Sequence, residues 1–378
     1  MVDRDPVHQA ARMDLEGLDV AAAALRPGAG TVFTGAIDIR SMPPSAGNLH
    51  CMANVTSTSY LAGTIELAPG VRRHCHRWMP CVDPREVRHA CVLVHGLGDH
   101  GGRYEAIGRE LSSGGVPLQA IDLIGHGRSP GRRGRIESFE SILREIDASL
   151  EAAASLWPAA SLTLIGQSMG GTLAASTAMA WYADTRSGPC EDNVPRDVLP
   201  FPGVARRPRV ARLVLIAPML RPPGRQMRQD FVDAGVKLAK LLPGWPLRTS
   251  APAERLSLDP VAQAAYRNDQ LIHHTMSVQL GIELLLAGQR LLSDFGSVPI
   301  PTSVLYGTED TLIDLESLRE FAAQSSTINC RSIEGARHEP LQDSAREEVL
   351  VGLRAGFYSG VENAVISGRR QGRTRRAA

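Results

Sequence analysis

The chain has 378 residues, 41 basic against 40 acidic, with 43% apolar side chains. That is enough for one large core with an appendage, and it excludes a wholly disordered chain, a collagen and a small disulfide scaffold. Residues 369–378 (RRQGRTRRAA) hold five arginines and no acid, so taking those five from a net +1 leaves the remainder at −4, which excludes a nucleic-acid-binding surface across the domain.

No uncharged apolar run reaches the roughly 18 to 20 residues a membrane span needs. The acidic start Met1–Asp5 lacks the basic head and apolar body of a signal peptide, and the chain reads as cytoplasmic. Residues 1–58 mix alanine, glycine and proline without a sustained period. They read as a variable, partly disordered extension with one helix near Val20–Leu25. Cys51, Cys75, Cys81, Cys91, Cys190 and Cys330 are scattered, with no C-x-x-C, and reduced thiols are expected. His74, Cys75, His76 and Cys81 superficially resemble a metal set, and strand alternation puts His74 and His76 on one face. A polar-faced surface strand accounts for them better, and no metal is expected.

From residue 59 short β-rich runs alternate with glycine-marked turns and helical stretches, the pattern of a mostly parallel sheet covered on both faces by helices. Cys91–Val94, Leu118–Ile121, Leu162–Ile165, Leu213–Ile216 and Thr302–Tyr306 are continuously apolar or nearly so, as strands buried on both faces are. Ile328–Ile333 is a further strand. Tyr104, Ile107 and Leu111 recur at helical spacing before Gly114–Gly115, as do Phe139, Ile142, Leu143, Ile146 and Leu150. The expected organisation is a core over 59–220 and 298–360, interrupted by a polar stretch at 183–209. A helical cap spans 221–297, too long for a plain connection, and a basic tail covers 361–378. Cap residues such as Leu241, Leu242 and Trp245 are expected to face inward as packing and channel wall; the other reading is an outward patch at 241–247 that meets membranes.

The strongest chemical signal is Leu162-Thr163-Leu164-Ile165-Gly166-Gln167-Ser168-Met169-Gly170-Gly171. An apolar strand runs into G-x-S-x-G and then an alanine-rich helix, the context that lifts a serine hydroxyl above a sheet. Ser168 is therefore the expected nucleophile. A serine needs a base to take its proton and a third group to orient that base. Asp310, after the strand Thr302–Tyr306, is the expected acid, with Glu309 and Asp314 competing. His338, after Ile328–Ile333, is the expected base. The negative charge developing on a substrate carbonyl needs donors: the Met169 N–H, and the Leu97 N–H in the loop His95-Gly96-Leu97-Gly98-Asp99-His100.

With these pieces in place, the sequence resembles the monoacylglycerol lipase and lysophospholipase group of serine hydrolases with the α/β-hydrolase fold. The matching stretches are HGLGDHGGRYEAIGREL from His95, DLIGHGRSPGRRG from Asp122, GQSMGG from Gly166, LIAPML from Leu215, YRNDQL from Tyr266, YGTEDTLID from Tyr306 and GARHEPLQD from Gly335. They keep family order over roughly residues 60–358. The resemblance implies hydrolysis of one fatty acyl ester from a glycerol-based lipid, an acyl channel under the cap, and no metal or organic cofactor. Carried over by motif position, Asp99, Arg103, Tyr104 and Gln167 fall at the oxyanion loop and the polar end of the pocket, and Tyr266 in the cap motif; the alternative for them is a buried ion pair and a packed tyrosine. Two positions depart from the animal monoacylglycerol lipases, which have histidine in place of Gln167 and of Leu341. His338-Glu339 is closer to the bacterial lysophospholipase-like members. A lysophospholipase or broad carboxylesterase is the runner-up, and a non-catalytic scaffold is disfavoured because every part of the machinery is present. The partner implied is a one-chain lipid ester, with peripheral membrane contact through the cap as a further expectation.

Overall fold

The computed structural model describes residues 58–186, 210–224, 229–249 and 251–354. The expectations for the N-terminal extension with its helix near Val20–Leu25, for residues 187–209 and for the basic tail lie outside these.

An eight-stranded sheet forms the centre. In chain order its strands are β1 (Thr58–Ala68), β2 (Val71–Pro80), β3 (His89–Val94), β4 (Leu118–Ile121), β5 (Ser161–Gln167), β6 (Val210–Ile216), β9 (Thr302–Gly307) and β10 (Ile328–Ile333), with β7 (Pro246–Arg248) and β8 (Thr275–Ser277) pairing separately. The spatial order is β1-β2-β4-β3-β5-β6-β9-β10. The hairpin of β1 and β2 is antiparallel, and β2 joins β4 antiparallel. From β4 to β10 every pairing is parallel, so these strands all end at one edge.

Strand side chains alternate between two apolar layers. Val92 and Val94 of β3, Leu162 and Leu164 of β5, and Leu213 and Leu215 of β6 enter one layer. It is shared with α2 (Phe139–Leu156), α3 (Met169–Arg186), α7 (Val278–Asp294) and α8 (Leu315–Ala323). Cys91 and Leu93, Ile165, and Val214 and Ile216 enter the other, with Ile107 and Leu111 of α1 (Glu105–Ser113) and Val349, Leu350 and Leu353 of the helical residues 346–354. Both faces of the sheet are thus covered, as a parallel sheet requires. The helix α2 starts at a reciprocal cap, Ser138 Oγ accepting from Ser141 N–H and Ser141 Oγ from Ser138 N–H, which satisfies two of its unpaired first-turn donors.

The hairpin edge holds charge inside the fold by pairing it. Arg73 of β2 donates to Glu145 of α2 through two nitrogens, the Nε bond measuring 2.8 Å. Arg77 donates to Gln119 of β4 at 2.7 Å, and Gln119 in turn donates to the Ser149 carbonyl. His76 is likewise buried. The expectation of a polar-faced surface strand is therefore corrected at His76, which Gly101 and Gly102 of the 95–104 loop approach closely, while His74 is half-buried.

In the segment 221–297, α4 (Gln229–Leu241), α5 (Ala253–Leu256) and α6 (Pro260–Asn268) precede α7. Leu280, Leu284, Ala287 and Leu291 of α7 belong to the sheet's apolar layer. The other end of the segment is different: Phe231, Leu241 and Trp245 are 65%, 78% and 57% exposed, which overturns the inward expectation for Leu241, Leu242 and Trp245. Among the described residues no helix is long and apolar enough to cross a membrane.

α1 lies close against β2 because Gly108 faces the Trp78 indole, where an added Cβ would come within 2.2 Å of the ring. Gly108→Ala should destabilise the protein by about 1–3 kcal/mol through overpacking, measured by urea unfolding; a change within 0.5 kcal/mol, the surface-substitution range, would contradict this packing.

Candidate active site

Ser168 stands between the end of β5 and the start of α3 with φ +54°, left-handed backbone that a side chain other than glycine rarely adopts. The turn is held by Ser168 N–H donating to the Ile216 carbonyl at 2.8 Å and by Thr172 N–H donating to the Ser168 carbonyl at 3.2 Å. Its tightness depends on Gly170, where a Cβ would sit 2.1 Å from the Val94 carbonyl oxygen. The strand-turn-helix signal in the sequence is thus met in space.

Asp310 follows β9, and His338 lies just beyond β10. His338 Nδ1 is 2.7 Å from Asp310 Oδ2 and its Nε2 is 2.8 Å from Ser168 Oγ. With Asp310 ionised, Nδ1–H donates to the carboxylate, leaving Nε2 as the acceptor for the serine proton. Leu312 N–H donates to the other Asp310 oxygen at 2.8 Å, which fixes the carboxylate. Gln167, next to the serine, donates through Nε2 to the His338 carbonyl at 2.8 Å and holds the histidine loop against the elbow. The competing acids are occupied elsewhere: Glu309 points to solvent near Arg337, and Asp314 pairs with Arg221 at 3.0 Å and caps α8.

The loop after β3 passes beside the serine, with Gly96 so near that an added Cβ would touch Ser168 Cβ at 3.5 Å. His95 anchors it from below. Its Nδ1 bonds the Gly96 carbonyl at 2.8 Å and its Nε2 accepts from Leu123 N–H at 3.0 Å, and burial keeps its pKa low, so it is a neutral spacer with both nitrogens used. Leu97 rides on this loop, while Met169 opens α3, where first-turn N–H groups have no intrahelical partner.

Asp99, Arg103 and Tyr104 form a connected buried network. Arg103 lies 3.1 Å from Asp99 and donates twice to Glu339, at 3.0 and 2.7 Å; Tyr104 Oη donates to Asp99 at 2.9 Å. Burial alone would raise the Asp99 carboxyl, but Arg103 and the neighbouring histidines hold it below its ordinary value. Burial would also lower Arg103, but Asp99 and Glu339 hold it well above. Burial and then Asp99 push the Tyr104 phenol well above its usual value. Tyr266 of α6 lies with its ring centroid 5.1 Å from the Arg103 guanidinium carbon, within cation–π range. Burial, followed by Glu339, raises its pKa to about 12. Asp99, Tyr104 and Tyr266 therefore meet around Arg103, while Gln167 stands apart on the His338 carbonyl; Glu339, the further partner of Arg103, had as its only sequence signal its place directly after His338.

The segment after α6 clasps the same loop. His273 N–H donates to the Gly98 carbonyl at 3.0 Å, and His100 Nε2 is 2.8 Å from Asp269. Tyr266 and Asp269 also line a cleft of about 510 Å³ between Arg248 and His274.

Residues 85–188 and 202–345 match the Hydrolase_4 family model, described as serine aminopeptidase S33. The chain belongs to this family. A monoacylglycerol lipase of Mycolicibacterium smegmatis is 27% identical over 284 residues, 74% of this chain and 91% of the relative. Human monoglyceride lipase is 28% identical over 276 residues, 72% of this chain and 81% of the relative. The crystal structure of the Paleococcus ferrophilus monoacylglycerol lipase superposes with a TM-score of 0.57 at 25% identity, covering 73% of this chain and 95% of that one. The protein is thus a serine hydrolase of the α/β-hydrolase fold, a carboxylic ester hydrolase grouped with the monoacylglycerol lipases.

Two outcomes test this site. Asp310→Asn should lower kcat by about 10⁴-fold at neutral pH, by losing the correct imidazole tautomer; ester hydrolysis by the folded variant at near wild-type rate would contradict the orientation described. Burial, then Arg133 and His95, lowers His273 to about 4. Its folded pKa lies below the unfolded value of 6.5, so its stabilisation is complete above pH 6.5 and is lost as pH falls toward 4. Urea unfolding from pH 7 to 4.5 should show a steeper loss of stability for wild type than for His273→Asn, and parallel curves would contradict it.

Proposed function

We propose that this protein hydrolyses monoacylglycerols to fatty acid and glycerol through an acyl-enzyme. The observation that carries the reading is the hydrogen-bonded row Ser168, His338, Asp310 at the carboxyl edge of the sheet, in a chain aligned along most of its length with lipases of one-chain glycerides.

In this mechanism Ser168 Oγ attacks the ester carbonyl while His338 Nε2 takes its proton. The N–H groups of Leu97 and Met169 hold the oxygen that becomes negative, a contribution in which one donor is worth about 10² to 10³ in turnover. Protonated His338 then gives its proton to the departing glycerol oxygen. Water, deprotonated by the same imidazole, attacks the acyl-enzyme and releases the fatty acid. Gln167 positions the His338 loop. Asp99, Arg103 and Tyr104 hold the oxyanion loop against it through Glu339, acting by position rather than by touching substrate. Tyr266, with Asp269 on the wall of the cleft, faces the polar end of the lipid. No step draws on a metal or organic cofactor.

The exposed apolar residues of the cap fit delivery of such a substrate from a lipid surface. Phe231, Leu241, Leu242 and Trp245 are exposed at and just beyond α4, which also carries both lysines of the chain, Lys237 and Lys240. Apolar side chains flanked by cations suit the headgroup boundary of a bilayer. The family takes its description from a serine aminopeptidase, and the lipase reading is preferred over a peptidase because of these relatives and this apolar face. A lysophospholipase would share the same chemistry, so substrate comparison separates the two.

In a panel of monoacylglycerols, diacylglycerols, lysophospholipids and p-nitrophenyl esters, monoacylglycerols should exceed diacylglycerols by at least about 10-fold in kcat/KM, about 1.4 kcal/mol of discrimination; the reverse order would refute the proposal. The protein should float with liposomes in a salt-insensitive manner, and the double substitution Leu242→Ser, Trp245→Ser should abolish flotation. Failure of the intact protein to float would end the membrane part alone.

A further inference from the structure

A second chemical cluster lies beside the 95–104 loop, where Gly101 and Gly102 approach His76. His74 and His76, two residues apart on β2, project from one strand face, and Asp122 follows the neighbouring β4. The two backbones are locked together: Cys75 pairs with Ile121 in register, and Asp122 N–H donates to the His74 carbonyl at 2.8 Å. One ligand atom from each of the three side chains lies within 4.8 Å of the others. Two adjacent strands thus present two imidazoles and a carboxylate at a single level.

The details fit a cation better than a closed hydrogen-bond set. His76 is 4% exposed, yet its Nε2 has no hydrogen-bond partner, a costly condition for a buried polar atom. It stands 3.3 Å from Asp122 Oδ1, within ion-pair reach but outside the geometry of a good hydrogen bond. A tetrahedral ion with ligand bonds of about 2.0 Å has edges of about 3.3 Å, so this spacing is that of two ligands on one ion. The other His76 nitrogen is 2.7 Å from Tyr60 Oη. Donation from Nδ1–H to that oxygen leaves the Nε2 lone pair directed at the cluster, the outer arrangement that metal-binding histidines require. Asp122 is oriented by two backbone donors, Gly101 N–H to Oδ1 and Arg128 N–H to Oδ2, both at 2.8 Å. Its carboxylate keeps further lone pairs. His74 is half-buried with its ring centroid 4.7 Å from that of His76, and Arg128 beside it is exposed.

We propose that His74, His76 and Asp122 form a binding site for one divalent transition-metal ion, suited to Zn²⁺, with a fourth position open to water. Two imidazole nitrogens and one carboxylate oxygen are a donor set that zinc accepts. The ion staples β2 to β4, and through the bond from Gly101 N–H to Asp122 it also reaches the 95–104 loop. Its role is structural: the ion touches no reacting atom of the ester and takes no part in the proton transfers of Ser168 and His338.

The test uses the full chain, stripped of metal with a chelator and titrated with Co²⁺ as a spectroscopic substitute. Wild type should develop visible ligand-field bands that saturate at one equivalent and disappear when Zn²⁺ is added. His74→Gln, with its fold checked by circular dichroism, should lose the bands, whereas a His274→Gln control should keep them. Tyr60→Phe, which removes only the outer hydrogen bond, should weaken Zn²⁺ binding by about 10- to 100-fold. Absence of saturable Co²⁺ binding in wild type, or unchanged bands in His74→Gln, would overturn the site. Ester hydrolysis is read by neither arm, so the outcome is independent of the proposed lipase activity.

Discussion

Parallel strand direction is the constraint on which the site depends. Because β5, β9 and β10 run the same way, Ser168, Asp310 and His338 emerge at one edge although they are separated by up to 170 residues in sequence. The hydrogen-bonded row then spans the sheet from β5 past β6 to β9 and β10. What the sheet supplies is coarse convergence; the final placement within hydrogen-bond distance comes from the strained Ser168 turn and from the two oxygens of Asp310, one spent on Leu312 and one on His338.

A second layer of polar contacts joins the loops that rise from this edge. Arg103 connects the loop after β3 to Glu339, the neighbour of His338, and Gln167 connects the serine turn to the His338 carbonyl. Buried charges of this kind add little net stability, because desolvation offsets attraction, but breaking one partner away costs about 3–5 kcal/mol. Their physical effect is to leave the loop after β3 and the histidine loop one mutual position. Tyr266, Asp269 and His273, in and just after α6, reach the same network and loop through Arg103, His100 and Gly98.

Much of this was legible in the residues. Strands β3, β4, β5, β6 and β9 read directly because a strand buried on both faces must be apolar, or nearly so, at successive positions, and Leu162–Ile165 or Leu213–Ile216 admit little else. Ser168 was legible because the glycine pattern around it answers a steric demand. The hairpin β1–β2 was less so: VRRHCHRWMP carries five basic or imidazole side chains, three of which the structure buries by pairing Arg73 with Glu145, Arg77 with Gln119 and His76 with Tyr60. Such pairings depend on partners 16 to 72 residues away, which no local periodicity records. The cap failed for a related reason. Apolar content at 241–247 shows that something must contact those side chains but not whether it is the protein's own core, and the exposure of Leu241 and Trp245 decides it. Choosing Asp310 over Glu309 rested on motif order; the geometry supplies the physical reason, since one carboxylate faces the imidazole and its neighbour faces water.

The convergence of serine, imidazole and carboxylate is tested most directly by covalent labelling read at residue level. Wild-type protein treated with a fluorophosphonate should gain one adduct in its intact mass, mapped to Ser168 by peptide sequencing, and His338→Ala should react far more slowly while remaining folded. Well-folded wild type that stays unmodified, or an adduct mapped to another residue, would contradict the account.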